Sequence, residues 1–276
     1  MSRNQDRLGG VQQHDTSPPP QQGGGGFSFV VPTEFVDLPS QGRFYSPNHP
    51  LHNKDSIEIK QMTAKEEDIL TSRTLLKKGI ALERLIESLI IDKSINPASL
   101  LIGDRNAIII AARVSGYGNE YTTNVQCPAC EAKQQYSFDL NDADIQHGNV
   151  SDDYGITDNG DGTIGCILPR TQAEVTARLL TGREEKTLSN VKNNEGLVSK
   201  QLRAIIVSVN GDSSPRAINY LIENMPSVDS RHLRMVVRHA TPNVDLTQQF
   251  SCTECGHEQE MEVPLTADFF WPDRRV

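Results

Sequence analysis

The chain has 276 residues, of which 36% are hydrophobic and 23% charged, enough for one large domain or two small ones with their own cores. Its 27 Lys and Arg against 36 Asp and Glu give a net charge of -9, which argues against a protein whose affinity comes from neutralising phosphates. Since no apolar run approaches the roughly 20 residues that span a bilayer and no signal peptide is evident, we expect a soluble, unexported protein that binds neither nucleic acid nor membrane.

The first 26 residues form a tail without aromatic side chains that ends in a Pro- and Gly-rich run over 17–26. Such a composition cannot bury enough apolar surface to offset the loss of chain entropy. We therefore expect residues 1–26 to form a disordered arm, which could still order against a neighbouring subunit as an extended peptide.

The sequence repeats itself once. A shift of 125 positions superimposes five residues in the same order and without a gap: Asp104 on Asp229, Arg113 on Arg238, Cys127 on Cys252, Cys130 on Cys255 and Leu140 on Leu265. Upstream, residues 59–70 resemble residues 176–188, and a Leu-Pro pair precedes each segment. Chance similarity between short apolar and acidic stretches is the alternative. The shared order favours two tandem homologous halves, 27–141 and 164–276, joined by a linker over 142–163.

Each half is predicted to begin with a strand that leads into a helix. Alternating or β-branched residues predict strands over 56–61 and 174–180. A threonine followed three residues later by a glutamate then marks a capping box in each half: Thr63 with Glu66, and Thr181 with Glu184. The acid pairs 66–67 and 184–185 could be taken for a general acid and base, but a role at a helix N-terminus explains them more simply.

Further helices and a cysteine hairpin complete each half. Apolar residues at helical spacing predict a helix over 82–91, whereas residues 202–209 are too rich in β-branched side chains to assign. Two more helices are predicted to open at Asp104 and Asp229 as N-caps. Strands are expected on both sides of each C-x-x-C pair: 121–126, 135–140, 246–251 and 259–265. The predicted fold class is α+β, with two halves packed about a pseudo-twofold axis.

The linker over 142–163 is rich in Asp, Asn and Gly and nearly free of large apolar side chains. Within it, residues 158–162 superficially resemble a calcium-binding loop, but glycines occupy ligand positions and Pro169 stands where an EF-hand has its final glutamate. A turn between two strands is the prediction for this segment.

Four of the five cysteines form two C-x-x-C pairs, too few for a disulfide scaffold but suited to a metal. Each pair on a tight turn supplies two thiolates, and two pairs complete the closed four-sulfur shell that zinc prefers. If the halves pack about a pseudo-twofold axis, both pairs lie near that axis. We therefore predict one structural zinc per chain that joins the two halves, with four ligands: Cys127, Cys130, Cys252 and Cys255.

Other uses of these cysteines fit the sequence less well. A redox dithiol needs a thioredoxin-like βαβ context, which is missing, and free thiols without a metal are the remaining alternative. A catalytic zinc would leave one position open, and only His257 lies nearby as a competing ligand. Cys166 lies in an apolar run and is expected to be a small buried core residue. Since no phosphate-binding, dinucleotide-binding or nucleophile motif is present, we expect a protein that is not an enzyme.

The C-terminus concentrates Phe269, Phe270 and Trp271, the only tryptophan of the chain. In a chain with 5% aromatic residues, such a cluster indicates an anchor, either onto the protein's own core or into a partner. Docking within the chain is the favoured alternative.

Several motifs, taken in order, resemble those of the baseplate hub proteins of T-even-like contractile-tailed phages. They are Leu38-Pro39-Ser40 with Gly42 and Tyr45, Met62-Thr63 with Glu66-Glu67, Asp104-Arg105 leading to Tyr117-Gly118 and Tyr121, Cys127-Pro128 with Cys130, and Cys252 to Gly256 with the terminal run 269–272. The resemblance covers about 34–273 and leaves out the N-terminal tail. It implies a non-enzymatic structural or assembly component of the tail baseplate.

The resemblance also implies where such a protein is found and with what. We expect it in the virion tail baseplate, and in the host cytoplasm during assembly, within a symmetric hetero-oligomeric assembly of other tail proteins. The cysteines carry over only as zinc ligands. The alternative is a zinc-ribbon regulatory protein associated with nucleic acid, which would need a basic face around the cysteines. The residues near Cys252 are instead acidic: Glu254, Glu258, Glu260 and Glu262.

Overall fold

The computed structural model describes residues 30–150, 155–189, 196–263 and 269–270. The predicted arm over 1–26 and Trp271 lie outside the described residues. The elements follow one another in this order: β1 (Thr33–Asp37), β2 (Ser56–Lys60), α1 (Ala64–Thr71), α2 (Arg73–Lys77), α3 (Ala81–Leu89), α4 (Ile102–Tyr117), β3 (Glu120–Gln126), β4 (Lys133–Asp139), β5 (Asp144–Gln146), β6 (Thr157–Asp158), β7 (Thr163–Ile167), β8 (Glu174–Arg178), α5 (Gly182–Ser189), α6 (Leu197–Ile205), β9 (Ile206–Val209), α7 (Pro215–Asn224), α8 (Ser227–Ala240), β10 (Asn243–Asp245), β11 (Thr247–Ser251) and β12 (Glu258–Glu262).

The strands form small antiparallel sheets, so the fold class is α+β, as predicted. The pairs β1–β2, β3–β4, β5–β10 and β11–β12 are two-stranded, and β6, β7, β8 and β9 form one four-stranded sheet in chain order. The turn after Asp158 connects β6 to β7, as predicted for that segment. The segment 142–163 also contains β5, which pairs with β10 from a distant part of the chain.

Amphipathic helices pack against these sheets. Helix α3 buries Leu85, Ile86 and Leu89, and α8 buries Leu233 and Val236, at the spacing of one helical face. These side chains belong to one hydrophobic core, so truncating any of them to alanine is expected to cost about 2–5 kcal/mol. Cys166 is buried in the same core, as predicted.

Two of the predicted helix N-termini are confirmed by the structure, and two others are wrong. The capping box of Thr63 and Glu66 is formed, and Thr181 and Glu184 make the same contacts. The prediction that Asp104 and Asp229 are N-caps is wrong, because α4 begins at Ile102 and α8 at Ser227, which makes each aspartate the third helical residue. Their carboxylates face the loops that follow the two Leu-Pro pairs.

The unassigned segment 202–209 divides between two elements. Its first part completes α6, and the β-branched residues from Ile206 onward form β9, the edge of the four-stranded sheet. Ile205 and Ile206 are both buried at the junction. The mixed composition reflects a helix that runs directly into a strand.

Candidate metal centre

Two hairpins of the same construction carry the four clustered cysteines. Cys127 and Cys130 lie in the turn between β3 and β4, and Cys252 and Cys255 in the turn between β11 and β12. In each turn the first cysteine's N–H donates to a carbonyl five residues on, at Ala132 and His257, over 2.9 Å. Glu131 and Gly256, which follow the second cysteines, both have positive φ and close the turns. Tight local hydrogen bonding therefore fixes the direction of all four thiols.

The four sulfur atoms meet in one cluster although the two pairs are far apart in sequence. All four Sγ atoms lie within 4.8 Å of one another. The Cys127 and Cys255 sulfurs are 3.8 Å apart, and the Cys130 and Cys252 sulfurs 3.7 Å. A tetrahedral zinc with four thiolates at about 2.3 Å has sulfur–sulfur edges of about 3.8 Å, so these spacings match such a site. Among the described residues this is the one cluster of His, Cys, Asp and Glu with metal-site spacing.

The surroundings of the cluster favour ionisation of Cys127 and disfavour ionisation of Cys130. Burial opposes ionisation of Cys127, but the N–H groups of Cys130 and Ala129 and the neighbouring thiols outweigh it and lower its pKa to about 7. The Ala132 N–H favours the Cys130 thiolate, yet the neighbouring thiols raise the pKa of Cys130 to about 12. A divalent cation would supply the positive charge that the ionisation of all four thiols requires.

Polar side chains join the two hairpins beside the sulfurs. The Gln134 amide donates to Ser251 O over 3.2 Å and accepts from Thr253 N over 3.0 Å, so it brackets Cys252 on both sides. The Gln248 amide likewise accepts from Asp139 N over 3.2 Å and donates to Asp139 O. Sequence reasoning missed both glutamines, because a glutamine in a polar strand carries no local signal of a contact across hairpins.

A buried arginine and the terminal aromatic residues brace the first hairpin. Arg113 donates to Phe269 O over 2.6 Å and to Glu120 O over 2.9 Å. Phe269 packs edge-on against Tyr121, with ring centroids 5.2 Å apart, and Phe270 is buried too. The predicted docking within the chain is confirmed for both phenylalanines. The guanidinium of Arg113 is therefore held by backbone carbonyls.

A second group of motif residues forms a buried hydrogen-bond network at the start of α4. The Asp104 carboxylate accepts from Ser40 N (3.0 Å), Ser40 Oγ (2.6 Å) and Tyr45 Oη (2.7 Å), while Tyr45 Oη accepts from Leu101 N (3.0 Å). Gly42 has φ +71°, and a Cβ there would lie 2.4 Å from Leu51 O. Burial raises the pKa of Asp104. The network holds a loop in place, and all of its polar atoms are paired.

The other singled-out acids also have structural partners. Glu66 is fully buried and binds Lys60 Nζ over 2.6 Å in addition to its capping contacts. Burial opposes ionisation of Glu66, but hydrogen bonds from Lys60, Ser88 and Thr63 lower its pKa to about 2. Glu185 pairs with Arg105. His257 Nε2 lies near Gln259 Oε1 and outside the sulfur cluster.

Comparison with known proteins places this fold in a family. Residues 32–271 match the family described as T4 bacteriophage base plate protein. Neither the curated proteins nor the solved structures give a match. Within the described part of the chain, no helix has both the length and the apolar character needed to cross a membrane. Because the match extends over most of its length, the chain belongs to the T4 bacteriophage base plate protein family.

Proposed function

We propose that the protein is a structural or assembly component of the hub region of a contractile phage tail baseplate, and that it acts through protein–protein contacts around a structural zinc. The observation that carries the proposal is the meeting of four sulfurs from two hairpins within 4.8 Å, in a chain of a baseplate family. Metal ligation across 121 intervening residues makes a rigid unit from parts of the chain that are distant in sequence.

The zinc would be held by Cys127, Cys130, Cys252 and Cys255. These four ligands fill a tetrahedral shell and leave no position for water or substrate, which fits a structural and not a catalytic role. The backbone N–H groups that point at the sulfurs would stabilise their negative charge. Bound zinc supplies a strong cross-link between the two hairpins.

The zinc would join two tandem homologous halves, 27–141 and 164–276, packed about a pseudo-twofold axis. Corresponding elements support this proposal. Both halves place a hairpin before a capped helix, and both end in a cysteine hairpin. Asp104 and Asp229 are each the third residue of a helix and accept N–H groups from the loop after a Leu-Pro pair. The linker would be 142–163, with 1–26 as a separate arm.

The proposed role is non-enzymatic. The acids that the sequence singles out are engaged in caps, loop clamps and ion pairs, and the four cysteines are proposed to be saturated by one metal. The protein would be a member of a symmetric hetero-oligomeric assembly in the virion tail, formed in the host cytoplasm. Its hairpin surface around Cys252 carries Glu258 and Glu260, which disfavours a regulatory protein associated with nucleic acid.

The experiment is to produce particles from phage that carry the wild-type gene, Cys252→Ser or Cys166→Ala, and to measure the protein in purified virions and isolated baseplates by quantitative mass spectrometry. We expect a fixed copy number in wild-type baseplates, its loss with Cys252→Ser, and its retention with Cys166→Ala, a buried cysteine outside the cluster. Normal baseplates and infectious particles that form without the protein would contradict the proposal.

A further inference from the structure

A basic groove lies beside α8. It is a cavity of about 990 Å³ between α8 and the segment 146–149. Three arginines line it at helical spacing i, i+3 and i+7: Arg231, Arg234 and Arg238. His147 and His239 line it as well, and none of the Asp and Glu residues in the described ranges does. In a chain with net charge -9 this concentration of positive charge is unexpected.

Hydrogen bonds hold the segment 146–149 against the neighbouring parts of the fold. His147 Nδ1 is 3.0 Å from Pro39 O, and Asn149 N donates to His239 O over 2.7 Å. Gly148 has φ +75°, and a Cβ there would lie 2.3 Å from Ala240 O, so a side chain would push this segment away from the helix end. The segment and α8 therefore keep a constant separation.

Helix stability explains only part of this charge. Cations in the last turn of a helix interact favourably with the macrodipole, which accounts for Arg238 and His239. Arg231 and Arg234 lie before the last turn, and both are exposed. Within the described ranges, none of the three groove arginines takes part in an ion pair. At one end the adjoining cavity shares Arg234 and Arg238 and includes Asp245 and Glu262, whereas Arg231 does not line that cavity.

We propose that this groove binds an acidic segment of a neighbouring baseplate protein; the source of the segment rests on the proposed function, whereas the binding chemistry does not. Planar guanidinium groups bind carboxylates in a bidentate manner, and three of them along one helix face offer several such donors to the acids of a peptide that lies along the groove. Phosphate groups would also bind guanidinium, but a chain of a baseplate family has other tail proteins as its neighbours, which favours an acidic protein segment over a nucleic acid.

The test is the fluorescence anisotropy of a labelled octaglutamate peptide titrated with the full-length protein at low and physiological salt. Three proteins are compared: the wild type, a groove variant (Arg231→Glu with Arg234→Glu) and a control variant (Arg183→Glu with Arg216→Glu). Both variants change the net charge equally, and all four arginines are exposed, so circular dichroism melts should remain close to wild type. Octaglutamine and an eight-nucleotide single-stranded DNA serve as competitors.

We expect the wild type and the control variant to bind octaglutamate alike and the groove variant to bind it about tenfold or more weakly, because two charge pairs are lost. Octaglutamine should not compete, and the DNA should compete less than unlabelled octaglutamate. Equal losses in both variants, no binding by the wild type, or preference for DNA would each overturn the proposal. Normal infectious particles that form without the protein would refute the proposed function without altering this binding result.

Discussion

Asp104 and Asp229 occupy the same position in two helices, yet their surroundings shift their pKa values in opposite directions. At Asp104, burial prevails over the hydrogen bonds from Ser40 and Tyr45 and raises the pKa. At Asp229, burial again opposes ionisation, but the Thr171 hydroxyl and the N–H groups of Thr171 and Arg170 outweigh it and lower the pKa. Both aspartates therefore hold a loop through hydrogen bonds, but the groups that donate these bonds differ.

The difference shows that two aspartates at the same helical position can hold a loop through different sets of donors. The first loop presents the hydroxyl groups of Ser40 and Tyr45 and one N–H to its aspartate, and the second presents two N–H groups and the Thr171 hydroxyl. Hydroxyl donors can rotate and also accept, as Tyr45 does from Leu101 N, so the first network extends further into the core. The same substitution made at corresponding residues of the two regions tests this difference.

The largest expected effect is at the cysteine cluster, which both regions share. Cys252→Ser removes one of the four proposed ligands, and since structural zinc contributes on the order of 10 kcal/mol, we expect loss of the cooperative thermal transition at physiological temperature. Cys166→Ala, in the core but outside the cluster, should cost about 1–2 kcal/mol. Differential scanning calorimetry measures both, and similar losses for the two variants would contradict a metal cross-link.

The next effect separates the two aspartates. Asp104→Ala leaves Ser40 N–H, Ser40 Oγ and Tyr45 Oη buried without their acceptor, so we expect a loss of about 4 kcal/mol in the free energy of unfolding. Asp229→Ala leaves the N–H groups of Arg170 and Thr171 without their acceptor. Because both residues are exposed, water can replace it, and the loss should be about 2 kcal/mol. Urea denaturation at neutral pH distinguishes them, and a larger loss at Asp229 would reverse the comparison.

The capping boxes offer a third matched pair. Glu66→Gln removes a buried charge that also binds Lys60 and Ser88, and should cost about 3 kcal/mol. Glu184→Gln affects a half-buried cap whose described contacts are hydrogen bonds from Thr181 and an electrostatic interaction with Arg178, and should cost about 1 kcal/mol. Equal losses in urea denaturation would mean that the ion pair with Lys60 adds nothing to the first box.

The smallest effect is the pH dependence of the two aspartates. Because the pKa of Asp229 is lowered on folding, its stabilisation is present above the unfolded value of about 3.9 and is lost as the pH falls below it. Because the pKa of Asp104 is raised, protonation favours the folded state, so its contribution improves as the pH falls towards about 3.9.

Urea denaturation of the wild type, Asp104→Asn and Asp229→Asn between pH 7 and pH 3 therefore has a definite expectation. The advantage of the wild type over Asp229→Asn should shrink below about pH 4. The difference between the wild type and Asp104→Asn should move in favour of the wild type as the pH falls from 7 to about 4. Parallel profiles for the two variants would show that both aspartates have the same environment.

Local patterns in the sequence predicted the local features of this fold. The capping boxes, the helix over 82–91 and the strands around the C-x-x-C pairs follow from spacing alone, since each depends on neighbours a few residues away. The repeat spacing also led to the expectation that the four cysteines meet, and they do so in the structure.

Contacts between distant segments were not predictable in the same way. The pairing of β5 with β10 and the amides of Gln134 and Gln248 across the hairpins depend on tertiary packing, which leaves no periodic signal in either strand. Aspartate is common at helix N-caps, but the carboxylate of Asp104 accepts from Ser40 in a loop 64 residues earlier. Such buried hydrogen-bond networks can be identified only when the three-dimensional positions of both partners are known.

The most direct test of the proposed zinc cross-link is the metal content of the purified chain, measured by native mass spectrometry together with elemental analysis. The account predicts one zinc per chain in the wild type and in Cys166→Ala, and none in Cys252→Ser. A wild-type chain that carries no metal when purified without chelator, and takes up none from added zinc, would contradict it.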